Sequence, residues 1–155
     1  MDLPACRPFQ PADTTACLQV FDSNTPGFFA PGERGEFGDH LSAIDGKAHR
    51  YMVLTCGGQV RACGGIGLSG RVARLTWGMV ARDWQGRGLG ARLLSERLAV
   101  LAGLPAIRRV ELSTGIRTAG FYEAAGFRLL RVVPDGFAAG LDACEMALTL
   151  PEGPR

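Results

Sequence analysis

The chain has 155 residues, of which 46% are hydrophobic and 21% are charged, and its formal net charge is +2. This length suits a single globular domain over residues 1–155, and the composition excludes a disordered chain, a collagen-like rod and a coiled coil. No apolar run reaches the roughly 18 residues that a membrane-spanning helix needs, and the small net charge gives no electrostatic reason to expect nucleic acid as a partner.

The first third of the chain predicts one strand followed by two helices. Its N-terminal residues have neither the basic nor the apolar region of a signal peptide, so we expect a cytoplasmic protein. An opening strand is expected over residues 7–11, and Asp13 is the predicted N-cap of a helix over residues 14–24. A Pro/Gly-rich loop covers residues 25–32, and a second helix is expected over residues 33–44.

The middle third predicts three antiparallel strands, over residues 51–56, 59–68 and 71–80, separated by glycine-containing turns. Alternate side chains of a strand point to opposite faces of its sheet. The third strand therefore alternates two sets of residues: Val72, Arg74 and Thr76 against Ala73, Leu75 and Trp77.

The last part of the chain predicts a helix, a strand, a short helix and two further strands. Leucines recur at helical spacing from Leu89 to Leu101, and Gly103 and Pro105 end that helix. The remaining elements are expected over residues 109–113, 118–125, 127–133 and 143–150, with the turn residues 134–136 between the last two strands. The predicted fold class is α+β: a mixed, mostly antiparallel sheet of about seven strands with helices on both faces and one parallel pair joined by a crossover helix.

The strongest chemical feature is the glycine turn, residues 85–90, which reads Gln-Gly-Arg-Gly-Leu-Gly between a strand and an amphipathic helix. A helix start exposes unpaired N–H groups and the positive end of the helix dipole, so this turn is suited to a phosphate or diphosphate. It lacks the lysine of a P-loop, and the dinucleotide pattern that does occur at residues 65–70 is followed by no helix. The alternative is an ordinary strand-to-helix turn.

Residues 82–94 resemble the acetyl-CoA signature of the GNAT superfamily of N-acetyltransferases. Gln85, Gly88 and Gly90 occupy its fixed positions, and a second block resembles the family's Phe-Tyr-Glu motif at residues 121–127. The likeness covers residues 75–127 and implies the GNAT fold, with two parallel strands splayed around acetyl-CoA. The resemblance assigns the following residues to the cofactor: Met79, Val80, Gln85, Gly86, Arg87, Gly88, Leu89, Gly90, Ala91 and Ser113.

The resemblance also implies a mechanism, in which Tyr122 is the general acid that protonates the departing thiolate. One departure concerns the pantetheine arm, because many relatives carry asparagine and alanine where this chain has Gly115 and Thr118. Ser113 and Thr114 are the candidate substitutes.

The general base is less well defined by the sequence. Glu36 is our candidate, and Asp39 and His40 lie within one helical turn of it. The alternative for all three is a solvated helix face. Three phenylalanines, Phe28, Phe29 and Phe37, either shape an acceptor pocket or close the core.

We therefore expect an acetyl-CoA-dependent N-acetyltransferase that acts on a primary amine of a small molecule or peptide, without a metal. Two alternatives remain: a non-catalytic acyl-CoA sensor on the same fold, and an unrelated nucleotide-binding module. We expect neither a nucleic-acid nor a membrane partner. Either a monomer or a homodimer is compatible with the sequence.

Overall fold

The computed structural model describes residues 3–25, 29 and 32–151. Phe28 and most of the predicted Pro/Gly-rich loop lie outside these residues. The described chain forms seven strands and four α-helices, in the following order: β1 (Ala5–Pro8), α1 (Thr14–Ser23), α2 (Glu33–Ser42), β2 (His49–Cys56), β3 (Gln59–Ser69), β4 (Val72–Val80), α3 (Leu89–Ala102), β5 (Arg109–Thr114), α4 (Ile116–Ala124), β6 (Arg128–Ala138) and β7 (Leu141–Thr149).

The strands form one sheet in the order β1-β2-β3-β4-β5-β7-β6. Only β4 and β5 pair in parallel within the described residues, and α3 is the crossover between them. The predicted α+β class and mixed sheet are thus confirmed. One local prediction was wrong: residues 134–136 do not end a strand but form an irregularity inside β6, where Asp135 has a φ of +53°.

Helices cover both faces of the sheet. On one face α1 and α2 pack through Phe21 and Phe37 onto β2 and β3. On the other face Leu89 and Leu93 of α3 pack onto β2 and β3, while Leu94 and Leu101 of α3 and Ala119 of α4 pack onto β4, β5 and β7. Within the described residues, no helix combines the length and apolar character needed to cross a membrane.

A bulge interrupts β4 and changes which face its side chains occupy. Met79 lies opposite Cys63 and Thr76 lies opposite Gly65, so Trp77 and Gly78 share one partner position on β3. Trp77 has a φ of +41°, as expected at an inserted residue. The extra residue reverses the alternation, and Trp77 therefore packs beneath α1 and α2. The prediction that it shares a face with Ala73 and Leu75 was wrong.

The parallel pair β4 and β5 separates partway along its length. The register pairs Val72–Arg74 with Arg109–Glu111, and within the described residues β4 and β5 do not pair with each other beyond that point. β4 nevertheless runs on to Val80 and β5 to Thr114. We call the opening between these two strand ends the β4–β5 gap. It leaves main-chain hydrogen-bonding groups of β4 without a strand partner on that side.

Candidate active site

The glycine turn adopts a backbone conformation that other residues rarely take. Gly86 has a φ of +77°, and Gly88, the N-cap of α3, has a φ of +83°. A Cβ atom at either position would meet no heavy atom of the described chain within 4 Å. Both glycines are therefore required by backbone conformation, and the surface of the turn is open to a ligand.

The main-chain N–H groups of this turn are available for binding. The first bond of α3 runs from the Arg92 N–H to the Gly88 carbonyl at 3.0 Å. From Gly86 to Ala91, no N–H group donates to another group of the described chain. Several unpaired donors at the positive end of a helix form an anion site, so the residues present fit the diphosphate of CoA.

A buried amide that the sequence reasoning missed fixes this turn to the end of β4. Asn24 is 2% exposed, and its Nδ2 donates to the carbonyls of Val20 at 3.0 Å and Val80 at 2.9 Å. Gln85 donates from Nε2 to Asn24 Oδ1 at 2.7 Å and to the Val80 carbonyl at 3.2 Å. The predicted cofactor residue Gln85 thus positions the turn with its side chain. The only local signal for Asn24 was its place at a helix C-terminus.

The register of β4 shows which of its amides face the gap. The Ala81 N–H donates to the Arg61 carbonyl on the β3 side at 2.8 Å. Bonded and non-bonded positions alternate along an antiparallel pair, so Val80 faces away from β3, Met79 faces β3, and Gly78 faces away again. Of the two predicted residues, Val80 therefore directs its N–H into the β4–β5 gap. Gly78 joins it, and this residue was not among the predictions.

Tyr122 lies on α4, directly after Phe121, which reaches the end of β4 and the glycine turn. Its half-buried ring packs edge-on against Phe127, with ring centroids 5.6 Å apart, and its hydroxyl has no hydrogen-bond partner in the described residues. A Cβ atom at Gly90 would lie 3.9 Å from both Val80 Cγ2 and Phe121 Cζ. The turn, the end of β4 and the residue preceding Tyr122 therefore meet at one place.

The remaining predicted cofactor residues occupy different surroundings. The exposed Arg87 guanidinium lies 4.4 Å from the centroid of the Trp84 ring, beside the turn. Leu89 is 4% exposed and packs its side chain in the core, so only its backbone is available to a ligand. Ser113 lies on β5 beyond the residues that pair with β4, and its Oγ accepts a hydrogen bond from Arg74 Nη2 at 2.5 Å.

A family model described as an acetyltransferase (GNAT) domain matches residues 47–129, which is more than half of the chain. The chain belongs to the GNAT family of acetyl-CoA-dependent N-acetyltransferases. The resemblance noted in the sequence is thereby confirmed. The matched segment contains β4, the glycine turn, α3 and the Tyr122 helix. No curated protein sequence shows a significant match to the chain.

Solved structures share this GNAT fold over nearly the whole chain. A protein assigned to the GNAT family from Desulfovibrio desulfuricans is 24% identical with a TM-score of 0.79, covering 95% of this chain and 99% of that one. The ribosomal-protein-S18-alanine N-acetyltransferase from Escherichia coli is 19% identical with a TM-score of 0.81, covering 97% and 96%. An aminoglycoside 6'-N-acetyltransferase complexed with coenzyme A is 13% identical with a TM-score of 0.77, covering 96% and 99%.

On the α1–α2 side of this GNAT sheet, the predicted base and pocket residues separate into two groups. Glu36 and Asp39 are exposed on α2, whereas Phe37 is fully buried in the core. Phe29 stacks on Phe21, with ring centroids 4.8 Å apart, and also lies beside the Trp77 ring. Phe37 and Phe29 thus serve packing.

His40 is the one predicted base candidate that reaches the β4 bulge. Its ring centroid lies 6.4 Å from that of Trp77 and 6.1 Å from that of Tyr51. Its Nε2 is buried and has no partner in the described chain. Burial and, to a smaller extent, the neighbouring His49 lower the pKa of His40 from its usual 6.5, which favours the neutral imidazole at pH 7.

Proposed function

We propose that this GNAT chain transfers an acetyl group from acetyl-CoA to a primary amine of a small molecule or a peptide. The observation that carries the proposal is the run of unpartnered N–H groups from Gly86 to Ala91, next to the β4–β5 gap and the Tyr122 helix. Acetyl-CoA supplies the acetyl group as an activated thioester. The chain's own residues bind it, orient it and move protons.

Binding divides between the turn and the open edge of β4. The main-chain donors of Gly86 to Ala91 hold the diphosphate, and Arg87 adds a positive charge beside them. The Val80 N–H, which faces the gap, is available to the pantetheine arm. The Gly78 N–H, a backbone donor that is fixed before the reaction, stabilises negative charge on the acyl oxygen without reorganisation.

Tyr122 supplies the proton that the leaving thiolate needs. A phenol carries its proton at neutral pH, and general acids of this kind contribute about 10²- to 10⁴-fold to rate. The Tyr122 hydroxyl is not engaged with another group of the described chain, so it is free to face a ligand. Ser113 is proposed to line the same gap on the β5 side.

The attacking amine must lose a proton before or during attack. Glu36 is exposed at the surface of α2, and we propose it as an acceptor that acts through solvent. His40 is a second candidate, favoured by its buried, unpartnered Nε2 and its position beside the Trp77 bulge. Its lowered pKa keeps the imidazole neutral at pH 7, and the neutral form has a nitrogen lone pair that can accept a proton.

Both protein and small-molecule acceptors occur among proteins of similar structure. Of those named above, one N-acetyltransferase acts on a ribosomal protein and another on an aminoglycoside. The alternative function, an acyl-CoA sensor, requires the glycine turn but not the Tyr122 hydroxyl.

Thiol release from acetyl-CoA over a panel of small-molecule and peptide amines tests the proposal. We expect amine-dependent release by the wild type and a loss of about 10²- to 10⁴-fold in kcat for Tyr122→Phe. CoA affinity and thermal stability should stay unchanged, because the hydroxyl has no intramolecular bond to lose. CoA binding without amine-dependent thiol release would favour the sensor, and equal kcat values would contradict the role of Tyr122.

A further inference from the structure

Arg97 of α3 is a buried cation without an acidic partner. It is 2% exposed and is among the largest fully buried side chains of the protein. No carboxylate of the described chain forms an ion pair with it, its Nη1 reaches only the Gly65 carbonyl at 3.5 Å, and its Nε is buried without a partner. Arginine stays charged at any physiological pH, so its burial without an acidic partner lowers the free energy of unfolding. A charge retained at such a cost points to a function.

Two glycines on neighbouring strands provide the space for this guanidinium. A Cβ atom at Gly78 would lie 2.9 Å from Arg97 Nη2, and a Cβ atom at Gly64 would lie 3.3 Å from Arg97 Cζ. Any larger residue at Gly78 would displace the guanidinium. The side chain and the β4 bulge are therefore fitted to each other.

The guanidinium lies against Gly64 and Gly78, on the face of β3 and β4 that α3 covers. Gly78 belongs to the bulge of β4, beyond Arg74, the last residue that pairs with β5. The strand alternation directs the Gly78 amide away from β3, toward the β4–β5 gap. Arg97 therefore places a fixed positive charge beside a residue whose main-chain N–H is a donor of the candidate active site.

Packing alone does not require a charge at this position. Leu93, Leu94 and Leu101 of the same helix are apolar and buried. Replacement of a buried charge by an apolar residue of similar volume is often neutral or stabilising. The acidic residue of α3, Glu96, pairs with the partly exposed Arg92 and not with Arg97.

We propose that Arg97 is a positioning residue for acyl transfer, whose guanidinium acts through the Gly78 peptide to stabilise negative charge on the acyl oxygen. The inference rests on the proposed function. In a water-poor interior, a nearby positive charge polarises the peptide and strengthens its N–H as a donor.

The electron count defines when this charge is needed. When the amine nitrogen bonds to the acyl carbon, the C=O π pair moves to oxygen, and this is the negative charge that Arg97 would stabilise through the Gly78 peptide. When the C–S bond breaks, that pair returns to re-form the C=O bond, and sulfur leaves with its bonding pair and takes the Tyr122 proton. The amine's own proton goes to the general base.

Kinetics and thermal unfolding of Arg97→Met test the proposal, with Arg92→Met as the matched control on the same helix. For Arg97→Met we expect kcat to fall about tenfold or more, KM for acetyl-CoA to change less than threefold, and the melting temperature to stay equal or rise. Arg92→Met should retain the wild-type kcat. A merely structural arginine would instead lose stability and leave kcat unchanged.

A spectroscopic measurement adds a readout that does not depend on turnover. The ketone analogue acetonyl-CoA, labelled with ¹³C at its carbonyl, reports the local field through its infrared stretching frequency when bound. We expect a lower frequency in the wild type than in Arg97→Met, because the charge polarises the carbonyl. Equal frequencies, or equal kcat values, would overturn the proposal.

If Arg97→Met does not fold, Arg97→Lys decides, since it keeps the charge in a flexible side chain. The proposal then requires at least about a tenth of the wild-type kcat, and a folded Arg97→Lys with a lower kcat would contradict it. A wild type that binds CoA but releases no thiol with any amine would instead refute the proposed function. The infrared comparison would still measure the field at the bound carbonyl.

Discussion

Gly88 allows the ligand role of the turn to be separated from its structural role. Alanine at a φ of +83° costs about 1 to 2 kcal/mol, because its Cβ approaches the following carbonyl in the left-handed region. No steric cost adds to this, since a Cβ there would meet no described atom within 4 Å. For a chain of 155 residues, each kcal/mol lowers the melting temperature by about 2 to 4 °C. Gly88→Ala should therefore fold, with a melting temperature about 2 to 8 °C lower.

The effect on CoA should be larger than the effect on folding. The added methyl group projects into the open space that the diphosphate would occupy, and we expect CoA affinity to fall at least about tenfold, or 1.4 kcal/mol. Gly70→Ala is the matched control, because Gly70 has a φ of +60°, is equally open, and lies in the turn before β4, at the opposite end of that strand. Titration calorimetry that gave both variants the same CoA affinity would refute the assignment of the turn to the diphosphate.

Three further outcomes follow from individual contacts. Asn24→Ala removes the buried donor to the Val80 carbonyl, and urea denaturation should show a loss of about 1 to 3 kcal/mol together with weaker CoA binding. Asp13→Asn breaks a bidentate pair with Arg7 at 2.8 and 2.9 Å, which should cost about 1 to 3 kcal/mol at pH 7. The hydrogen bond from Arg7 lowers the pKa of Asp13 from 3.8. The ionised Asp13 therefore contributes to the free energy of unfolding above pH 3.8, and this contribution is lost as pH falls through the lowered pKa. Acid unfolding curves of the wild type and Asp13→Asn should converge there. The pKa of His40 is lower than 6.5 in the folded state, so the unfolded state takes up a proton first and the free energy of unfolding declines as pH falls below about 6.5. His40→Gln should flatten that decline. An unchanged dependence of stability on pH would contradict this role of His40.

Local chemistry accounts for what the sequence predicted well. Glycines at positive φ, leucines at helical spacing and a helix stop depend on contacts within about four residues, and these signals located the glycine turn and α3. The Tyr122 helix was located by its motif, and the structure begins it at Ile116, two residues earlier than predicted. The order of strands and helices then limited the topology to a mixed sheet with one right-handed crossover.

The sequence by itself therefore determined the order of the elements, the family and the residues of the glycine turn. Only the tertiary structure decided the side-chain faces after the β4 bulge, the anchoring of Gln85 by Asn24, and the burial of Arg97 against Gly78. Each of these depends on residues that are distant in the chain, and strand register and packing across the sheet bring them together. A one-residue bulge reverses every face that follows it, and no local pattern records where that residue is inserted.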